Sequence, residues 1–137
     1  MGSPNKDSSF LSLIIAKITG TVMKRKRLYC LFLFFLGDIM KENNFQGELI
    51  KELKDRFKGC IVLKNNSAYL QGIPDLLILF GKKWAMLECK KSAKEHHQPN
   101  QDYYVHILNK MSFARFIFPE NKEEVLNDLE RTFRSKR

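Results

Sequence analysis

Apolar positions recur at two different spacings along this chain, and the switch between them marks out the elements. Leu49, Ile50, Leu53 and Phe57 sit at helical spacing, which predicts a first helix. It starts after Asn43 or Asn44, both good N-caps, and runs to about Lys58, before Gly59. A strand over Cys60 to Lys64 follows, then a turn-rich loop from Asn65 to Gly72. Two short apolar runs, Leu76 to Phe80 and Trp84 to Leu87, flank Gly81-Lys82-Lys83 and predict a β-hairpin. The chain is then polar as far as Gln98-Pro99, where a second helix begins with proline in its first turn. Tyr104, Ile107, Leu108 and Met111 form its buried stripe. Phe113 to Phe118 is the last strand, and Asn121 caps a final helix from Lys122 to about Arg134. Val125, Leu126, Leu129 and Phe133 are that helix's apolar face.

Both faces of the hairpin are apolar. Leu77, Leu79, Trp84 and Met86 lie on one, and Leu76, Ile78, Phe80, Ala85 and Leu87 on the other. A sheet that is apolar on both faces calls for helices on both sides, so the expected fold is α/β in layers. Trp84 and Met86 are core residues in this arrangement.

The hairpin also carries the chain's chemistry. If Gly81-Lys82 is a two-residue loop, Phe80 pairs with Lys83, Leu79 with Trp84, Leu77 with Met86, and Asp75 with Glu88. Directly opposed residues have Cβ atoms roughly 4.5–5.5 Å apart. Two carboxylates at that separation repel by roughly 3 kcal/mol at an effective dielectric near 20. A divalent cation turns the repulsion into a binding site, because Mg²⁺ favours carboxylate oxygens together with water and phosphate. Lys90, two residues past Glu88, falls on the same strand face. A three-residue loop would instead place Cys89 opposite Asp75.

Pro74-Asp75 followed by Glu88-Cys89-Lys90 resembles the PD-(D/E)XK nuclease superfamily. Gly72-Ile73 before the first motif and Gln101 after the second are similar to the VRR-NUC and Holliday-junction-resolvase-like branches, often small phage proteins. The resemblance spans roughly Phe45 to Phe133. It implies a restriction-endonuclease-like core, αβββαβα, with a mixed β-sheet flanked by helices on both faces. It also implies a Mg²⁺-dependent (or Mn²⁺-dependent) endodeoxyribonuclease in which Asp75, Glu88 and the Cys89 backbone carbonyl hold the metal. Lys90 then orients the attacking water, and Gln101 orders the site or the scissile phosphate. An acidic residue on the first helix often joins the metal in this family, and Glu48 is the matching candidate. DNA is the implied partner, branched or junction DNA the implied substrate, and a homodimer the form that would cut two strands symmetrically. Replication, recombination and repair are the processes such a substrate belongs to. The rival classes are a catalytically inactive nuclease-fold DNA-binding protein, a restriction-like nuclease, and a small membrane-associated protein. The adjacent His96 and His97 lie in a polar loop and are read as solvated.

Charge and cysteine content are compatible with this reading. The net charge of +9 divides into +4 over residues 1–39, with six basic and two acidic, and +5 over residues 40–137, with eighteen basic and thirteen acidic. A basic folded part suits a phosphate backbone, since neutralising phosphates releases counterions. Cys30, Cys60 and Cys89 form neither a disulfide framework nor a zinc motif and fit a reducing cytoplasm, which the resemblance implies is that of a bacterium or phage-infected host cell. No Gly-rich phosphate loop, Walker motif or Ser/His/Asp arrangement appears, and no small-molecule cofactor is implied.

Residues 1–39 differ in character from the remainder. Residues 1–9 are polar and aperiodic and are read as disordered. Two apolar runs, Phe10 to Ile18 and Leu28 to Leu36, are separated by the basic cluster Lys24-Arg25-Lys26-Arg27, a solvated charge run. Neither run reaches the roughly 18–20 residues that span a bilayer, so no membrane partner is expected. Gly37-Asp38-Ile39-Met40 is encodable with a ribosome-binding sequence just before an ATG. The expectation is therefore that residues 1–39 are upstream-translated sequence and that residues 40–137 form the nuclease domain.

Overall fold

The computed structural model describes residues 25–135; the expected leader of residues 1–9 and the apolar run 10–18 lie outside them. Seven elements follow in the order α1 (Arg25–Arg56), β1 (Ile61–Lys64), β2 (Leu76–Phe80), β3 (Lys83–Cys89), α2 (Gln101–Met111), β4 (Phe113–Ile117) and α3 (Lys122–Arg134). The fold is α/β, with three helices and a four-stranded mixed sheet in the order β1-β2-β3-β4. The first three strands are antiparallel neighbours and β4 joins β3 in parallel. The chain divides into two compact units, Met1–Met40 and Lys41–Arg137.

In the first unit, the described helix residues Leu31, Phe34 and Phe35 are exposed. No described helix is long and apolar enough to cross a membrane.

In the second unit the core gathers on one face of the sheet. Leu76, Ile78, Ala85, Leu87 and Ile117 pack with Leu49, Leu53 and Phe57 of α1 and with Val125, Leu126, Leu129 and Phe133 of α3. Each fully buried leucine contributes about 1.5–3 kcal/mol. Phe57, Phe80 and Phe133 close one end of this layer with ring centroids 5.2–5.6 Å apart. α2 lies against β3 and β4. There Ala114 is fully buried, whereas Ile61, Leu63 and Leu79, over β1 and β2, are exposed. The stripe expected to be buried on α2 is accordingly only part-covered, and Ile107 and Met111 face outward.

Two local expectations need correction, and a third is met only in part. Asn43 and Asn44 are not caps: α1 runs through them. Asparagine inside a helix costs only a few tenths of a kcal/mol, and no proline interrupts the residues before it. Pro99 lies before α2, because Asn100 takes a left-handed φ of 69° and helical geometry starts only at Gln101. Asn121 stands at the N-cap position of α3, as expected, but its side chain makes no cap hydrogen bond. Its side chain instead accepts from Phe118 N–H (2.8 Å) and donates to the Phe116 carbonyl (3.1 Å), fastening the end of β4.

Candidate active site

The β2–β3 hairpin turns at Gly81, whose φ of 60° suits a residue without a side chain. Phe80 pairs with Lys83, Leu79 with Trp84 and Leu77 with Met86, the register of a two-residue loop. The ladder ends at Leu76–Leu87, so Asp75 and Glu88 come next on the two strands. Asp75 Oδ2 accepts the Cys89 N–H at 2.8 Å across that end, and the Asp75 carbonyl accepts Asn65 N–H at 2.7 Å. Asn65 Nδ2 also donates to the Pro74 carbonyl (2.7 Å), so both residues of the Pro-Asp motif are held by the loop before them.

That loop is pressed onto the start of α2. A Cβ on Gly72 would lie 2.7 Å from the carbonyl carbon and Cβ of Asn100 and 2.8 Å from the Pro99 carbonyl oxygen. Glycine is required by this close approach and again by its φ of 89°. The contact brings the first turn of α2, and with it Gln101, beside the strand ends.

Glu88, Lys90 and Gln101 are 2%, 3% and 9% exposed. The Gln101 amide bridges the other two. Its Oε1 accepts from Lys90 Nζ (2.7 Å) and from the Gln98 N–H (2.7 Å), while its Nε2 donates to Glu88 Oε1. Only one orientation of the amide serves these partners, since a flip would set donor against donor. Lys90 Nζ also lies 3.6 Å from Glu88 Oε1 and 3.7 Å from Glu95 Oε1. Its backbone N–H donates to the Ile117 carbonyl, which extends the β3–β4 ladder by one rung and fixes where the side chain starts.

Glu88 Oε2 is buried with no hydrogen-bond partner. Burial, and next the neighbouring Asp75 charge, push the Glu88 carboxyl up to about 8, against a smaller downward pull from Lys90. Burial also raises Asp75, partly offset by its bond from Cys89 N–H. The two carboxyls thus resist being ionised together. The Cys89 side chain is 1% exposed, and burial raises its thiol well above the ordinary cysteine value.

Two acidic residues outside the expected set face this cluster. Glu42, on α1, has its carboxyl raised first by burial and then by the charges of Glu95 and Asp75, with Lys90 pulling it down. Glu95 accepts the Lys91 N–H at 2.7 Å and approaches Lys90. Glu48 is placed elsewhere. It lines a groove of about 330 Å³ with Asn44, Phe45, Pro119 and Lys122, and its charge, after that of Glu52, helps raise Lys122. The helical wheel explains the difference. Glu42 is seven residues before the buried Leu49 and shares its face, whereas Glu48, six residues past Glu42, points away. A helix that starts after Asn43 or Asn44 excludes Glu42, so the sequence pattern assigns it no face. Glu95 lies in a loop with no periodicity to indicate it.

His96 is exposed. His97 stacks on Phe116 with centroids 4.0 Å apart and interplanar angle 13°, and its Nδ1 lies 2.6 Å from Asp102 Oδ1. Neither histidine makes a contact with Asp75, Glu88 or Lys90 among the interactions of the described residues.

Among the described residues no group of three or more His, Cys, Asp or Glu side chains converges as a cation cage. Mg²⁺ does not need one: it is commonly held by one or two carboxylates plus waters and substrate phosphate. The unpartnered Glu88 Oε2 and the adjacent Asp75 are hard oxygen donors of that kind. No protein family, curated protein or solved structure matches this chain.

Proposed function

We propose that this chain is a Mg²⁺-dependent endodeoxyribonuclease with a restriction-endonuclease-like core. The observation that carries the reading is the buried Glu88–Gln101–Lys90 bridge at the strand end beside Asp75. A carboxyl group and an ammonium at 2–3% exposure are costly to keep unless the site uses them. Element order and hairpin register are compatible with the PD-(D/E)XK architecture, and the basic balance of residues 40–137 suits DNA.

Asp75, Glu88 and the Cys89 carbonyl would hold the metal, with Glu42 rather than Glu48 as the acidic group of α1 that acts on them through its charge. When bound, Mg²⁺ or Mn²⁺ polarises the phosphoryl oxygen and acidifies a water. Lys90 carries a fixed positive charge toward the negative charge that develops on the scissile phosphate and orients the attacking water. Gln101 holds Lys90 and Glu88 in register, so both are in place before substrate arrives. The substrate class that the motif resemblance favours is branched DNA, cut to leave 5′-phosphate ends, with a homodimer supplying two sites for a symmetric junction.

The test is cleavage of four-way junction, flap, duplex and single-stranded DNA with Mg²⁺ or Mn²⁺. Wild type is expected to cut at least the branched forms, and Asp75→Ala and Lys90→Ala to lose cleavage. If wild type cuts none of these, the enzyme reading fails. If Asp75→Ala cuts like wild type, the site is misplaced.

A further inference from the structure

Beyond the catalytic cluster, the outer edge of β4 borders a groove of about 620 Å³. Tyr103, His106 and Asn109 of α2 and Arg115 and Phe116 of β4 line it, with Asp102 at the rim. The strand edge itself is taken. Asn109 Oδ1 accepts Ala114 N–H (3.2 Å), Arg115 Nη1 donates to the Ala114 carbonyl (3.3 Å), and Asn121 Nδ2 donates to the Phe116 carbonyl (3.1 Å). Backbone groups bound to side chains do not recruit another strand, so the groove is not suited to an added β-strand.

Its walls have the chemistry of a nucleotide instead. The Tyr103 ring is 60% exposed and is steadied edge-on against Tyr104, with centroids 5.2 Å apart. A held, exposed aromatic face is a stacking surface for a base. Arg115 is permanently charged, lies 5.3 Å over the Phe113 ring, and presents a planar cation suited to phosphate. Asn109 adds an amide.

The groove also adjoins the candidate active site. Phe116 is the β4 register partner of Glu88, about one strand spacing away. Asp102 follows Gln101 in α2, and His97, stacked on Phe116 and bonded to Asp102, closes the wall between the two. A nucleotide seated here is therefore a near neighbour of a phosphate at Glu88.

We propose that this groove takes an unpaired DNA base next to the cut, so that the protein favours a duplex carrying a single-stranded branch over a blunt duplex. The proposal rests on the reading of the chain as a DNA endonuclease, and its test separates the two. The full chain, without metal, is titrated with a blunt duplex and with the same duplex bearing a single-stranded tail labelled with 2-aminopurine. Binding is followed by anisotropy and stacking by quenching of the 2-aminopurine. Wild type is expected to quench the label, and Tyr103→Ala to lose the quenching and bind the tailed duplex about tenfold more weakly. Tyr103→Phe should retain both, and blunt-duplex affinity should stay within about twofold in either variant. Equal loss on both DNAs, no loss on either, or an unquenched label at saturation overturns the groove assignment. Quenching without cleavage in Mg²⁺ or Mn²⁺ supports the groove and refutes the nuclease reading; cleavage without quenching does the reverse.

Discussion

Gln101 is the residue on which the candidate site's geometry turns. Its amide is shared by a buried carboxyl group and a buried ammonium, so truncation strands both. Loss of a buried partner costs about 1–3 kcal/mol. Gln101→Ala should therefore lower the unfolding free energy by an amount in that range, read as a lower urea midpoint at an unchanged m-value, while cleavage falls because Lys90 is no longer held. A variant as stable as wild type would show that the bridge contributes little. Glu88 yields a second expectation, in pH. Its carboxyl has the ordinary value of 4.5 in the unfolded chain and about 8 in the fold, so between these the folded chain keeps a proton that the unfolded chain has released. The stability linked to that proton is complete below pH 4.5 and is lost as pH rises through 8. The metal-free protein should melt progressively lower from about pH 5 to pH 8 and level off above that, and Glu88→Gln should flatten that slope. Thermal melts of both proteins across this window decide it; parallel slopes would mean that Glu88 is ordinary in the fold.

At the scale of elements, the contact between the Gly72 loop and the start of α2 governs whether the site assembles. Gly72 and Gly81 both have positive φ, but only Gly72 has atoms where a Cβ would go. Gly81→Ala should cost about 1–2 kcal/mol from backbone strain alone. Gly72→Ala adds an overlap with the backbone of Pro99 and Asn100, so it should cost more and also push α2, and Gln101, away from Glu88. Cleavage rates at temperatures where both variants are folded separate the two: Gly81→Ala near wild type, Gly72→Ala well below it. The same elements show what the sequence made legible. The hairpin register could be read because two short, continuously apolar runs meet at a glycine that can adopt φ of 60°, which leaves few alternatives. The position of Gln101 could be read from its place on the turn before Tyr104. The start of α1 could not, because Asn43 and Asn44 are good caps that longer-range helix continuity overrides, and with that start went Glu42. The clash that makes Gly72 necessary joins residues almost thirty positions apart, a distance over which local pattern carries no signal.

For the whole molecule, every residue of the core cluster comes from Leu49 onward, within the unit Lys41–Arg137. A fragment of residues 41–137 should therefore fold cooperatively, with an m-value set by the same buried surface. Its DNA binding then tests where the useful charge lies. The fragment keeps all eighteen basic residues of residues 40–137 against thirteen acidic, while the six basic residues before it include the Lys24–Arg27 run. Each phosphate neutralised on duplex DNA contributes about −0.9 to the slope of log K against log salt. A cluster that is merely solvated leaves the slope alone, whereas one that grips phosphate with all four side chains would steepen it by about 3–4. The expectation is that full chain and fragment give slopes within about one phosphate of each other, because the groove and the buried Lys90 site both lie in the shorter piece. Titrations between about 50 and 200 mM salt resolve such a difference. A slope several units shallower for the fragment would make the leading basic run part of the DNA interface and would move the electrostatic contribution away from the fold.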